Sequence, residues 1–137
     1  MSDFVKNADE NIMNFKDRLR FPANFDMLDR EVRIGGKKAG FFFIDGFVQE
    51  DMVEKLMQFF YSLKPEDVSN IDKFLENGMP YTEVDRADKY ELVITSFLAG
   101  VTVLFVDGFD EAVLIVCRTY PMRSVAEPWK DRVLRGS

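Results

Sequence analysis

Two aspartates stand at the ends of apolar runs. Asp45 closes Phe-Phe-Phe-Ile and Asp107 closes Leu-Phe-Val, and each is followed by Gly and then Phe. A pair of carboxylates brought together would suit metal binding or general acid–base work. Asp-Gly is also ordinary turn chemistry at a strand end, because Asp bonds to nearby backbone and Gly accepts positive φ. The turn reading is preferred for Asp45-Gly46 and Asp107-Gly108. Gly35, Gly36 and Gly40 flank Lys37 and Lys38 and invite comparison with a phosphate loop. Such a loop follows a strand, opens a helix and ends Gly-Lys-Ser/Thr. This stretch lies between two expected strands, so it reads as a hairpin connection with its lysines in solvent. Cys117 is the single cysteine, without a resolving partner, and is expected to be a buried, inert thiol.

The chain contains no histidine. That removes Ser-His and Cys-His nucleophile pairs and His-ligated zinc. Catalysis is the weakest of the functional readings, and no metal or cofactor is expected. Its least implausible form is an aspartate-based hydrolase on Asp45 and Asp107, which requires the two carboxylates to converge in space.

The elements that must position these residues follow from periodicity. Phe4, Val5, Ala8, Ile12, Phe15 and Leu19 repeat at helical spacing and predict a helix over about 3–20, stopped by Pro22. Strands are expected at 30–34 and 41–44, on either side of the glycine connection. A second helix carries Met52, Val53, Leu56, Met57, Phe60 and Leu63, with Glu50 and Asp51 at its positive end. That stripe is read as core rather than as a partner groove. Pro65 opens a shorter helix closed by Gly78, and a further helix is expected over about 86–99, ending at Gly100. Strands at 101–106 and 112–117 complete a second hairpin.

Both inner strands are apolar throughout, so helices must cover both sheet faces. The expected fold is α/β: a mixed sheet of about four strands, made of two hairpins and covered by about four helices, in a single domain over 1–137. With 137 residues, 47% hydrophobic content and 14 Phe, the chain has material for a substantial core. A net charge of −6 argues against binding nucleic acid or anionic lipid. The N-terminus has neither the basic nor the apolar part of a secretion signal, and no stretch approaches the ~20 apolar residues of a membrane helix, so a soluble chain is expected.

Charge is placed unevenly: residues 118–137 carry +3, and residues 1–117 carry −9. In this tail apolar periodicity gives way to Arg, Pro, Glu and Trp. An exposed basic loop and a set of arginine forks paired to carboxylates fit the composition equally well.

The tail also resembles the spore germinant-receptor A-subunit (GerA-type) family. There, a strand ending in Asp-Gly and a second apolar strand lead to Tyr/Trp-Pro-x-Arg, Glu-Pro and an Arg-Gly ending. The same order stands here as Leu104-Phe105-Val106-Asp107-Gly108, the strand over 112–117, Tyr120-Pro121-Met122-Arg123, Glu127-Pro128 and Asp131-Arg132-Val133-Leu134-Arg135-Gly136. Upstream, Asn24-Phe25-Asp26 and Val32-Arg33-Ile34 look like the family's opening. The Tyr-Pro-x-Arg and Phe-Asp forms lean toward the stage V sporulation protein AF branch. Asp131 departs from the family's usual Glu, shortening the reach to any arginine partner. Family members continue into a second α/β subdomain and a membrane region, so this chain is expected to be the first soluble subdomain alone.

The resemblance implies a non-enzymatic module on the cytoplasmic (spore-core) face of the spore inner membrane. It would serve assembly and signal relay in a germination ion-release complex. Its partners would be other subunits or domains of that complex, further copies of the same chain included, and no nucleic acid. Arg123, Glu127, Pro128, Asp131, Arg132, Arg135 and Gly136 are the interface candidates. The alternative is a small-ligand binding module in which Arg123 meets a carboxylate.

Overall fold

The computed structural model describes residues 2–19, 27–46, 48, 50–76 and 82–117. Within them the order is α1 (Ala8–Leu19), β1 (Met27–Ile34), β2 (Lys37–Ile44), α2 (Glu50–Ser62), a 3-10 turn (Pro65–Val68), α3 (Ile71–Glu76), β3 (Thr82–Ala87), α4 (Tyr90–Leu98), β4 (Thr102–Val106) and β5 (Ala112–Cys117). The strands form one five-stranded sheet in the order β1-β2-β4-β5-β3. Every strand pair in it is antiparallel. The one parallel pairing among the described residues is the isolated bridge Asp45–Val48.

Side-chain parity assigns the core to two layers. Phe41 and Phe43 of β2, Leu104 and Val106 of β4, and Val113 and Ile115 of β5 pack under α2, α3 and the 3-10 turn, with Leu56, Phe60, Val68 and Phe74 above them. The alternate residues Phe42, Ile44, Val103, Phe105, Ala112 and Leu114 face α1 and α4, meeting Phe15, Tyr90, Val93 and Phe97. Phe15 is the hub of this second layer, with ring centroids of Phe42, Phe97 and Phe105 each 5.3 Å away.

The α/β class, the two hairpins and the helical cover on both faces stand as the sequence led us to expect. Four details differ. The sheet is antiparallel at every strand pair rather than mixed, because the chain passes through α2, α3, β3 and α4 and returns along β2 in the opposite direction as β4. The sheet has five strands rather than about four, because residues 82–87 form β3 where the fourth helix was expected to begin. Val84 packs on the first core layer and Ala87 on the second, while Glu83 and Asp85 stay exposed. That is a polar edge strand, whose charges mask its alternation.

The first helix starts at Ala8 rather than near residue 3. Asn7 ends it by accepting the Glu10 N–H at 2.9 Å. Asn11, buried, holds the preceding segment with bonds to both the N–H and the carbonyl of Val5. Finally, Lys37 and Lys38 are not turn residues. They pair with Ile34 and Arg33 as the first residues of β2, leaving Gly35-Gly36 as a two-residue hairpin turn.

Both turn glycines have positive φ, +58° at Gly35 and +84° at Gly36. A Cβ on Gly36 would meet open space, whereas one on Gly35 would lie 2.6 Å from Val68 Cγ2 and 2.8 Å from the Lys64 carbonyl oxygen. Gly36→Ala should therefore cost about 1 kcal/mol, the price of a left-handed residue alone. Gly35→Ala should cost at least twice that, since backbone must also move. Urea midpoints of the two variants measure the difference.

Candidate functional site

The two aspartates stand level with opposite ends of β2, Asp45 just after it and Asp107 after its neighbour β4. Asp107 donates its backbone N–H to the Lys38 carbonyl at 2.9 Å, which sets it level with the start of β2. Asp45 follows the last residue of β2. At about 3.3 Å per residue they stand roughly 20 Å apart, so they form no shared acid–base or metal site. Among the described residues no group of three or more His, Cys, Asp or Glu could hold a metal ion.

Asp107 does more than turn the chain. Its Oδ1 accepts the Ala8 N–H at 2.9 Å, satisfying an amide at the N-terminus of α1 from a loop 99 residues away. Gly108, with φ of +96°, donates its N–H to the Lys6 carbonyl at 2.8 Å. Asp3 performs the same service for α4, accepting the Tyr90 N–H at 3.0 Å, while its own N–H reaches the Asp88 carbonyl at 2.8 Å. Phe4, between them, is buried against the rings of Tyr90 and Phe105. Residues 2–7 are thus a strap across one end of the sheet.

Salt bridges reinforce that end. Arg86 on β3 makes a two-pronged pair with Glu111, both N–O distances 3.0 Å, and also bonds Asp72 of α3. Hydrogen bonds to Glu111 and then Asp72 push the guanidinium pKa further up, keeping it charged. Lys38 pairs with Asp9 of α1 at 3.0 Å and with Glu31 at 3.6 Å, and these partners raise its pKa too. Residue spacing gave no sign of these links, because each joins positions far apart in the chain.

The opposite end of the sheet differs in character. A cleft of about 310 Å³ opens between β1, β2 and α2. Its floor is apolar, made by Leu28, Phe43, Val48, Val53 and Met57. Among the described residues, the carboxylates Asp45, Glu50 and Glu54 and the guanidinium of Arg30 stand around it. Arg30 is held on the strand side, where Nη1 donates to the Asp29 carbonyl at 2.9 Å and the group lies 5.7 Å from the Phe43 ring centroid. Gly46, with φ of +93°, turns the chain beside this cleft. The chain enters β1 and β3 and leaves β5 at this same end.

The tail candidates Arg123, Glu127, Pro128, Asp131, Arg132, Arg135 and Gly136 lie outside the described residues. Of Cys117, the described part is its backbone, which ends β5 paired with Thr82.

The two Asp-Gly turns should separate on mutation. Asp107→Ala removes the distant cap of α1 and should destabilise the fold by about 1 kcal/mol. Asp45→Ala touches no such bond and should stay within about 0.5 kcal/mol of the parent. Urea denaturation of both variants checks the contrast.

Comparison with known proteins gives this architecture a lineage. The chain is 24% identical over 134 residues to stage V sporulation protein AF of Bacillus subtilis (strain 168), covering 96% of this chain and 27% of that protein. It is 27% identical over 136 residues to spore germination protein GerLA of Bacillus cereus, covering 95% of this chain and 27% of that protein. It therefore spans about a quarter of the length of these relatives. Its fold matches the crystal structure of the N-terminal domain of the A subunit of the Bacillus megaterium spore germinant receptor GerK3. The TM-score is 0.69 at 18% identity, with 88% of this chain and 49% of that one covered. Residues 14–137 match the family model of the Bacillus/Clostridium GerA spore germination protein, and the chain belongs to that family.

Proposed function

We propose that this chain is a non-enzymatic domain for assembly and signal relay in a membrane-bound ion-release complex of spore germination. It would act at the cytoplasmic (spore-core) face of the inner membrane. The observation that carries the reading is the pairing of GerA-family membership with the fold of a germinant-receptor A-subunit N-terminal domain. Among the described residues no helix is long and apolar enough to cross a membrane, so spanning would fall to other parts of the assembly.

The physical form suits a relay. The sheet is packed on both faces and stitched at one end by the Asp107, Asp3 and Arg86 links, so a push at one point moves the body as a unit. The helix–sheet body would pack on sister domains. Arg123, Glu127, Arg132 and Arg135 would hold the junction to the neighbouring part of the protein through charge-assisted bonds, which are shorter and stronger than neutral ones. The wide separation of Asp45 and Asp107 speaks against an aspartate-based hydrolase.

A small-ligand module is the second reading, and the cleft beside Asp45 is what favours it. Its volume, about 310 Å³, sits at the lower end of ligand pockets.

Charge reversal tests the relay reading. Arg132→Glu with Arg135→Glu, introduced at the chromosomal locus, should lower recovery of the protein's complex from spore membranes and slow germination. Unchanged assembly and unchanged germination would sink the junction role. A thermal-shift screen with amino acids, nucleosides and sugars addresses the second reading, since a specific ligand raises the melting point.

A further inference from the structure

We propose that the outer surface of α4 is a self-association site, on which a second copy of this chain packs its own α4 in antiparallel orientation. This rests on the reading of the helix–sheet body as a domain that packs on sister domains, and it names the surface.

Exposed apolar side chains gather on one side of the molecule. Met13 of α1, Leu92 and Leu98 of α4 and Val116 of β5 are 63%, 52%, 50% and 41% exposed. All four belong to the side closed by α1 and α4, since Val116 shares the parity of Ala112 and Leu114. α4 is also nearly free of charge, with Glu91 its single ionised residue. Tyr90, Val93 and Phe97 face the core. At about 100° per residue, Thr95 then lies on the outer crest, with Leu92 and Ala99 on one shoulder and Leu98 on the other. Thr95 and Ala99 are small and exposed, so a second backbone can come close while the leucines flank it.

Charge decides which surface a second copy can approach. The chain carries −6, and α2, the 3-10 turn and α3 hold seven carboxylates against Lys55 and Lys73. Two such faces repel one another, whereas two α4 crests bring together only Glu91 from each copy. The crest is also self-complementary, as a two-fold contact requires. A two-fold axis at Thr95 sets each residue level with the one equally far beyond Thr95 in the other copy. Leu92 then stands level with the second Leu98, and Glu91 with the second Ala99 rather than with its own counterpart.

The area is small. A nine-residue helix is about 13 Å long and about 10 Å wide, and offers well under half of the ~800 Å² that a standard interface buries per partner. The contact is therefore weak in dilute solution and gains strength where copies are held side by side in one assembly.

Sedimentation velocity of the chain between roughly 0.01 and 1 mM should show reversible dimers. Added salt should strengthen them, because it screens the repulsion between two copies of charge −6 and leaves the leucine contact intact. Leu92→Glu with Leu98→Glu should weaken the dimer roughly tenfold or more, and so should Leu92→Lys with Leu98→Lys. A mixture of these two variants should recover it. Tyr61→Glu, an exposed site on α2, should change nothing. A second readout, independent of the leucine variants, is disulfide trapping in a Cys117→Ser background. Thr95→Cys should form linked dimers under mild oxidation several-fold faster than Tyr61→Cys. A chain that stays monomeric across the range, an equal loss with Tyr61→Glu, no recovery in the mixture, or equal trapping at both sites overturns the proposal. If it falls while Arg132→Glu with Arg135→Glu still blocks assembly, the relay reading stands without this contact. If the dimer holds and that charge reversal changes nothing, the contact stands and the junction role does not.

Discussion

The sheet is organised by the need to cover β2 and β4 on both faces at once. Residues 41–44 are all buried, and so are all five residues of β4. A strand of this kind cannot lie at an edge or carry a wet face. β1 and β5 must flank it, and helices must close over both sides. The order of elements answers that demand, with α1 and α4 on one face and α2 and α3 on the other. A shift of one residue in the pairing of β2 with β4 would exchange Phe41 and Phe43 for Phe42 and Ile44 between two differently shaped layers. Register is therefore strongly specified.

The same constraint leaves the two ends of the sheet free to differ. At one end, tight turns meet the strap of residues 2–7, and long-range bonds satisfy the exposed termini of α1 and α4. Arg86 gathers β3, α3 and the β4–β5 connection into one knot. At the other end the cleft beside Asp45 opens. A body rigid at one end and open at the other is suited to hold its own shape while contacting a neighbour, which agrees with the proposed relay. Loops at strand ends commonly carry binding for this reason: a packed scaffold positions them, and their side chains remain available.

The parts of this architecture legible in the sequence were those with strong local periodicity. The runs ending at Asp45 and Asp107 announced two doubly buried strands, and Leu56 and Phe60 marked the inner face of α2. What escaped notice depended on contacts between distant residues. β3 is too charged to stand out, because as an edge strand it needs only Val84 and Ala87 inside. Phe4 continues the helical spacing of α1 yet belongs to a strap, because Asp3 is engaged by α4 and Asp88 rather than by its own helix. Asp107 was legible as a turn former but not as a cap, since nothing local points to Ala8. The tail was legible only through its resemblance to a family, and residues 118–137 lie outside the described residues.

The distribution of charge links the fold to the functional reading. A body of strongly negative charge is followed by a positive segment, residues 118–137, whose chemistry calls for an acidic counter-surface. Attraction between charged surfaces is screened beyond about 8–10 Å at cellular salt, so general electrostatics alone would not hold a contact in place. A specific apolar contact is needed to localise it. Among the charged surfaces around the described fold, the cleft at Phe43 and Met57 sets carboxylates around an apolar floor. The crest of α4 has hydrophobicity almost without charge. The open end of the sheet is therefore where charge and hydrophobicity act together, and α4 is where hydrophobicity acts nearly alone, so a relay domain of this design would make contacts of two kinds.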